Sequence, residues 1–112
     1  MAGPMSPDEV QRHLQDLPGW EEEGGSLVRR YRTGDWRRTC LVAGGIQLLA
    51  EAAGHHPDME LGYPALTVRL RTHDADGITA SDFELAGRIE ETVTWRPGDG
   101  SALPGPAGDW IE

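Results

Sequence analysis

The 112-residue chain predicts an α+β fold: a four-stranded antiparallel sheet with three helices packed on one face, in the order α-β-β-α-β-β-α. Three observations carry this. Helix-start signatures precede apolar residues spaced three and four apart, a glycine pair joins two short strand-like runs, and one long run alternates apolar and polar residues without a break. Each element has one apolar side to bury, and one layer of helices over a sheet hides them all. The sheet's other face and edges stay uncovered, which favours self-association.

Ser6-Pro7-Asp8-Glu9 combines a cap, a proline at the first helical position and an acid three residues after the cap, with Met5 and Val10 as a staple. The first helix carries Val10, Leu14 and Leu17 as its apolar stripe and is expected to end at Pro18-Gly19. Trp20 to Glu23 and Ser26 to Arg32 are antiparallel strands joined through Gly24-Gly25, because glycine tolerates the positive φ of a tight hairpin turn. Asp35 caps a long helix to about Ala53, with Trp36, Cys40, Ala43, Ile46, Ala50 and Ala53 as its stripe. Gly44-Gly45 in its middle costs about 1 kcal/mol per glycine relative to alanine, so either packing compensates or another backbone comes close.

After a turn at Gly54, Met59 to Tyr63 is a short strand and Ala65 to Thr72 the clearest one, with Leu66, Val68 and Leu70 opposite Thr67, Arg69 and Arg71. Parity places His73 on the polar face. Asp74 to Gly77 leads into the last helix from Thr79, stapled by Ile78 and Phe83 and burying Phe83, Ala86, Ile89 and Val93. Residues 1–5 are thus an extension, 6–93 the domain, and 94–112 a Pro/Gly-rich tail expected to stay mobile unless Trp95 or Trp110 docks.

Nineteen acidic and ten basic side chains give a net charge of −9 and a pI near 4.8, which disfavours nucleic acid and anionic membranes as partners. All ten basic residues are arginine, which excludes a lysine Schiff base and a Walker lysine. The single cysteine, Cys40, cannot form an internal disulfide and reads as a small buried apolar residue. With no apolar run of membrane length and no signal-like N-terminus, a cytoplasmic location is expected.

The chemistry-bearing residues are Glu51, His55, His56, Pro57, Tyr63, His73 and Asp82. Glu51 and His55 share a face if the helix continues one turn past Ala53, so the carboxylate can orient the imidazole. Adjacent His55 and His56 reach one pocket only if the chain turns between them, as the Gly54 to Pro57 break permits. Three imidazoles suit a reaction that moves protons both ways near neutrality, such as loss or addition of water. A nucleophilic hydrolase is disfavoured, because neither Cys40 nor any serine sits in an elbow or oxyanion loop.

Read as a pattern, E-x3-H-H-P-x5-Y-x9-H-x8-D from Glu51 to Asp82 resembles the signature of the pterin-4a-carbinolamine dehydratases, and Leu17-Pro18-Gly19-Trp20 and Leu85-Ala86 are also similar to the family. The likeness covers about residues 6 to 93. It departs from many members at Gly54, Met59 and Pro64, positions that bear on pocket shape and pterin preference. The resemblance implies dehydration of 4a-hydroxytetrahydropterin to the quinonoid dihydropterin, in tetrahydrobiopterin recycling, without a metal or organic cofactor. It implies His55, His56 and His73 as active-site histidines, with Glu51, Pro57, Tyr63 and Asp82 binding or orienting, in a homodimer or homotetramer.

Other roles compete for the same residues. Asp82 lies three residues after Thr79 and serves as a capping acid, and Tyr63 covers a strand end as readily as it lines a pocket. Arg69 and Arg71 suit a solvated face or a subunit contact, and His13 has no site role. Glu51, His55 and His73 form a possible metal set, although neighbouring histidines are awkward for one ion and no H-E-x-x-H occurs. A non-enzymatic interaction or assembly module, or action on another small heterocycle, is the alternative that relatives of the fold imply.

Overall fold

The first helix starts at its capping box. In the computed structural model, which describes residues 3–112, Ser6 Oγ accepts from the Glu9 N–H (3.2 Å) and Glu9 Oε1 accepts from the Ser6 N–H (3.0 Å). Helix α1 spans Pro7–Leu14 and buries Val10. It ends sooner than its apolar stripe predicts. Pro18 disfavours helical backbone at Leu17, and the chain tightens into a turn in which the Leu17 N–H donates to the Leu14 carbonyl (3.0 Å).

Strands β1 (Trp20–Glu23) and β2 (Ser26–Arg32) pair antiparallel, Glu23 opposite Ser26, through Gly24 (φ 59°) and Gly25 (φ 86°). Helix α2 (Trp36–Ala53) starts with Asp35 Oδ1 accepting from the Arg38 N–H (2.8 Å). Strands β3 (Asp58–Leu61) and β4 (Ala65–Leu70) follow, each shorter than the sequence predicts, and helix α3 spans Ala80–Val93. The sheet order is β1-β2-β4-β3, antiparallel throughout. The expected α+β order is the observed one. Among the described residues, no helix is long and apolar enough to cross a membrane.

Trp20, Leu27, Tyr31, Leu66, Val68 and Leu70 point from one sheet face into a core shared with Val10, Val42, Ala43, Ile46, Ala86 and Ile89, so the helices lie on that face. The opposite face carries paired charges, Arg30 with Glu23 (2.7 and 3.0 Å) and Arg69 with Glu60 (3.4 Å). The α2 stripe is rotated from the predicted one. Thr39, Val42, Ala43, Ile46 and Ala50 are buried, whereas Trp36, Cys40 and Ala53 are exposed, so Cys40 is not a core residue. The sheet and α3 meet the helix on the side centred near Ile46, and only Ala43, Ile46 and Ala50 belong to both stripes. A Cβ at Gly44 or Gly45 would meet nothing within 4 Å among the described residues, so no contact among them accounts for the glycine pair.

The core is not confined to residues 6–93. Ile111 is 5% exposed within it, and the Glu112 N–H donates to the Arg32 carbonyl (3.0 Å). An apolar residue near the chain end finds unfilled core surface, which a scan for periodicity does not register.

By parity with Leu27 and Tyr31, Arg29 also faces the helices, a position that demands a partner. Glu90 of α3 supplies it. Its carboxylate accepts from Arg29 Nε (3.0 Å), Arg29 Nη2 (3.2 Å), Tyr31 OH (2.7 Å) and Trp20 Nε1 (2.8 Å). Burial pushes the Glu90 carboxyl up, but these hydrogen bonds and the Arg29 charge outweigh it and hold the group below the ordinary glutamate value of 4.5. A depressed native pKa gives stability that is present above the unfolded value and lost as pH falls through the folded one. Glu90→Gln is therefore expected to cost about 2–3 kcal/mol at neutral pH, by urea midpoint, with the difference from wild type shrinking once the pH drops below about 4.5. A pH-independent difference would show that the carboxylate's charge is not what stabilises the cluster.

Candidate active site

The end of α2 decides where the histidines go. Gly54 adopts left-handed backbone (φ 69°), its N–H donating to the Ala50 carbonyl (2.9 Å), and the His55 N–H donates to the same carbonyl (3.2 Å). This turn takes His55 off the helical path, so it does not pair with Glu51 as continued helix would require. His56 does instead: its Nε2 lies 3.3 Å from Glu51 Oε2, both groups being largely exposed.

His55 meets the start of α3. Its Nε2 is 2.6 Å from Asp82 Oδ1, and Asp82 is fully buried. Asp82 Oδ2 also accepts from the Thr79 N–H (2.9 Å) and the Thr72 hydroxyl (2.8 Å). The capping role and the link to His55 thus coexist on one side chain. An ionised carboxylate only accepts, so the hydrogen bond assigns the ring proton to Nε2 and leaves Nδ1 as the free acceptor of the neutral imidazole.

His73 arrives by a route other than the predicted strand. β4 stops at Leu70, Thr72 bridges Gly77, and His73 opens a 3-10 turn (His73–Ala75) closed by Asp76 in left-handed backbone (φ 54°). His73 is exposed there and does not continue the Arg69-Arg71 row. All three histidines nevertheless line one groove of about 350 Å³, together with Pro57, Arg71 and Thr72.

Tyr63 does not line this groove. It lies beyond the far end of β3, 65% exposed, with its carbonyl accepting from Thr39 Oγ1 (3.2 Å). Glu51 reaches the groove only through His56. Among the described residues, no three His, Cys, Asp or Glu side chains converge as a metal-ligand set. Arg71 is the residue that sequence reasoning assigned elsewhere. It lines the groove, its buried Nε lacks a hydrogen-bond partner among the described residues, and its Nη2 pairs with Asp76. Its place two residues before His73 was the available signal.

Asp82→Asn keeps the shape but aims an amide N–H₂ at existing donors. It is expected to cost about 1–3 kcal/mol and to free the His55 ring, read as loss of a protected imidazole N–H resonance. Unchanged stability with that resonance retained would remove Asp82 from the orienting role.

A family model described as Pterin 4 alpha carbinolamine dehydratase matches residues 3–92. A protein of Aquifex aeolicus named "Putative pterin-4-alpha-carbinolamine dehydratase" is 41% identical over 93 residues, covering 83% of this chain and 94% of its own length. A Streptomyces coelicolor protein of the same name is 38% identical over 91 residues, covering 80% and 90%. Among solved structures, a transcriptional coactivator/pterin dehydratase from Brucella melitensis superposes with a TM-score of 0.73 at 24% identity, covering 79% of this chain and 96% of that one. A pterin dehydratase-like protein described as a RuBisCO assembly factor in the alpha-carboxysome gives 0.56 at 21% identity, covering 66% and 88%. The two structures share the fold, and the sequence matches carry the assignment: this chain belongs to the pterin-4-alpha-carbinolamine dehydratase family.

Proposed function

We propose that this chain dehydrates 4a-hydroxytetrahydropterin to the quinonoid dihydropterin and water. The observation that carries the reading is the set of three imidazoles on one groove, one of them held by a buried carboxylate. In the reaction the N5 proton is removed, the N5–C4a double bond forms, and the C4a–O bond breaks as the departing hydroxyl gains a proton and leaves as water. His55, with Nδ1 free, accepts the N5 proton; His73 protonates the hydroxyl; His56, steadied by Glu51, holds the pterin ring. No metal or organic cofactor has a part in these steps.

The same reading places the enzyme in the cytoplasm, in tetrahydrobiopterin recycling, as a homodimer or homotetramer. Leu41 and Leu48, 62% and 72% exposed, flank Gly44 and Gly45 along one line of α2, which favours association with a second helix. That exposed line also supports the second reading, a family member that works as an interaction or assembly module.

Absorbance-monitored dehydration of freshly generated 4a-hydroxytetrahydropterin separates the two. Acceleration by the wild type is expected, with His55→Ala and His73→Ala each losing about 10²-fold or more. Wild-type rates in both variants would overturn the assigned roles. No acceleration by the wild-type protein would favour the interaction module.

A further inference from the structure

A second cavity lies toward the start of α2. After α3 the chain turns where the Ser101 N–H meets the Gly98 carbonyl (3.1 Å), then doubles back until a side chain at Gly105 would touch the Pro97 ring (3.8 Å). The returning segment is fixed at its end: Arg96 Nη2 donates to the Ile111 carbonyl (2.9 Å) and Ile111 enters the core. Pro97, Pro104 and Pro106 stiffen the segment between. It forms with α2 an open cavity of about 720 Å³, within the size range of small-molecule sites.

The cavity's chemistry has two parts. Its body is apolar, formed by Trp95, Leu103, Pro104 and Trp110 facing Leu41 and Val42. Trp95 and Leu103 stay 60% and 58% exposed, apolar area that none of the described residues covers. Its charged part is Arg37 and Arg38. Among the described residues neither guanidinium has a carboxylate or hydrogen-bond partner, and Arg38 only faces the Trp110 ring (5.3 Å from Cζ to centroid). Helix stability does not explain them, since two cations and no acid occupy the first turn, against the helix dipole. In a chain of net charge −9, two adjacent unpaired cations beside an apolar hollow are a specific local feature.

We propose that this cavity binds a small anionic amphiphile, an aromatic or branched aliphatic body seated on Trp95 and Trp110 with a carboxylate- or sulfonate-class head on Arg37 and Arg38. Thirteen helical steps, about 20 Å along the axis, separate Arg38 from Glu51, so the site is distinct from the histidine groove. It does not depend on the dehydratase chemistry; because Leu41 also ends the exposed line of α2, a second copy of this chain is the competing occupant that the test separates from a small ligand.

Fluorescence titration of the full chain with anilinonaphthalene sulfonate, and with the uncharged phenylnaphthylamine of similar aromatic body, tests this. One saturable site per chain is expected, with the sulfonate bound about tenfold more tightly than the neutral probe. The double variant Arg37→Gln/Arg38→Gln should abolish that preference, and Trp95→Ala should weaken both probes by about tenfold. These side chains lie outside the core, so thermal midpoints within a few degrees of wild type verify that the variants fold. Equal affinity for the two probes, a preference that survives loss of both arginines, or indifference to Trp95→Ala would overturn the proposal. So would expulsion of the sulfonate at high chain concentration with a matching rise in sedimenting mass, which would identify a second copy as the occupant.

Discussion

Helix α3 carries two inward-facing carboxylates, and the rest of the molecule is arranged around the need to satisfy them. Asp82 and Glu90 lie eight residues apart, about 12 Å along the axis and close to one face. An ionised group so placed must be met by donors, because leaving it bare costs more than most single contacts return. Glu90 gathers Trp20 from β1 and Arg29 and Tyr31 from β2, and through them sets the rotation and depth of α3 on the sheet. Asp82 then falls where the Thr72 loop and His55 can reach it. The histidine groove inherits its position from an ion cluster at the other end of the same helix.

The two sheet faces handle charge differently. On the outer face, Arg30 with Glu23 and Arg69 with Glu60 remain open to water, where such pairs contribute little. On the helix face, Arg29 is largely buried, its guanidinium stacks 4.2 Å over the Tyr31 ring, and its Nη1 reaches the Glu112 carbonyl (3.1 Å). Burial, reinforced by Glu90, pushes the Tyr31 hydroxyl well above the ordinary tyrosine value, so it stays a donor to the carboxylate across the neutral range. The chain's end is thereby tied to the cluster that fixes its last helix.

Local chemistry made much of this legible in the sequence. Caps at Ser6, Asp35 and Thr79, the Gly24-Gly25 turn and the Leu66-Val68-Leu70 alternation are decided within a few residues, and each appears where the residues put it. What was not legible depends on distance through space. Parity alone puts Arg29 on the core face, but nothing local names Glu90, 61 residues away, as its partner. Helix α2 carries more apolar residues than one stripe can hold, so its sequence alone admits Cys40 as a core residue, and packing against α3 selects the stripe that leaves it exposed. In the site, the family spacing grouped seven residues, yet β3 runs away from Pro57 and carries Tyr63 with it. The exchange of partners, Asp82 for His55 and Glu51 for His56, follows from one left-handed glycine at position 54.

Asp82 closes the first turn of α3 with Oδ2 and holds the His55 ring with Oδ1 of the same carboxylate, so those events share one opening equilibrium. Any fluctuation that unwinds this turn also frees the imidazole, exposes the Thr72 hydroxyl and loosens the loop that presents His73. Amide exchange at the head of α3 thus reports the lifetime of the ordered groove. The lifetime of that short helical turn bounds how long the histidines keep their arrangement.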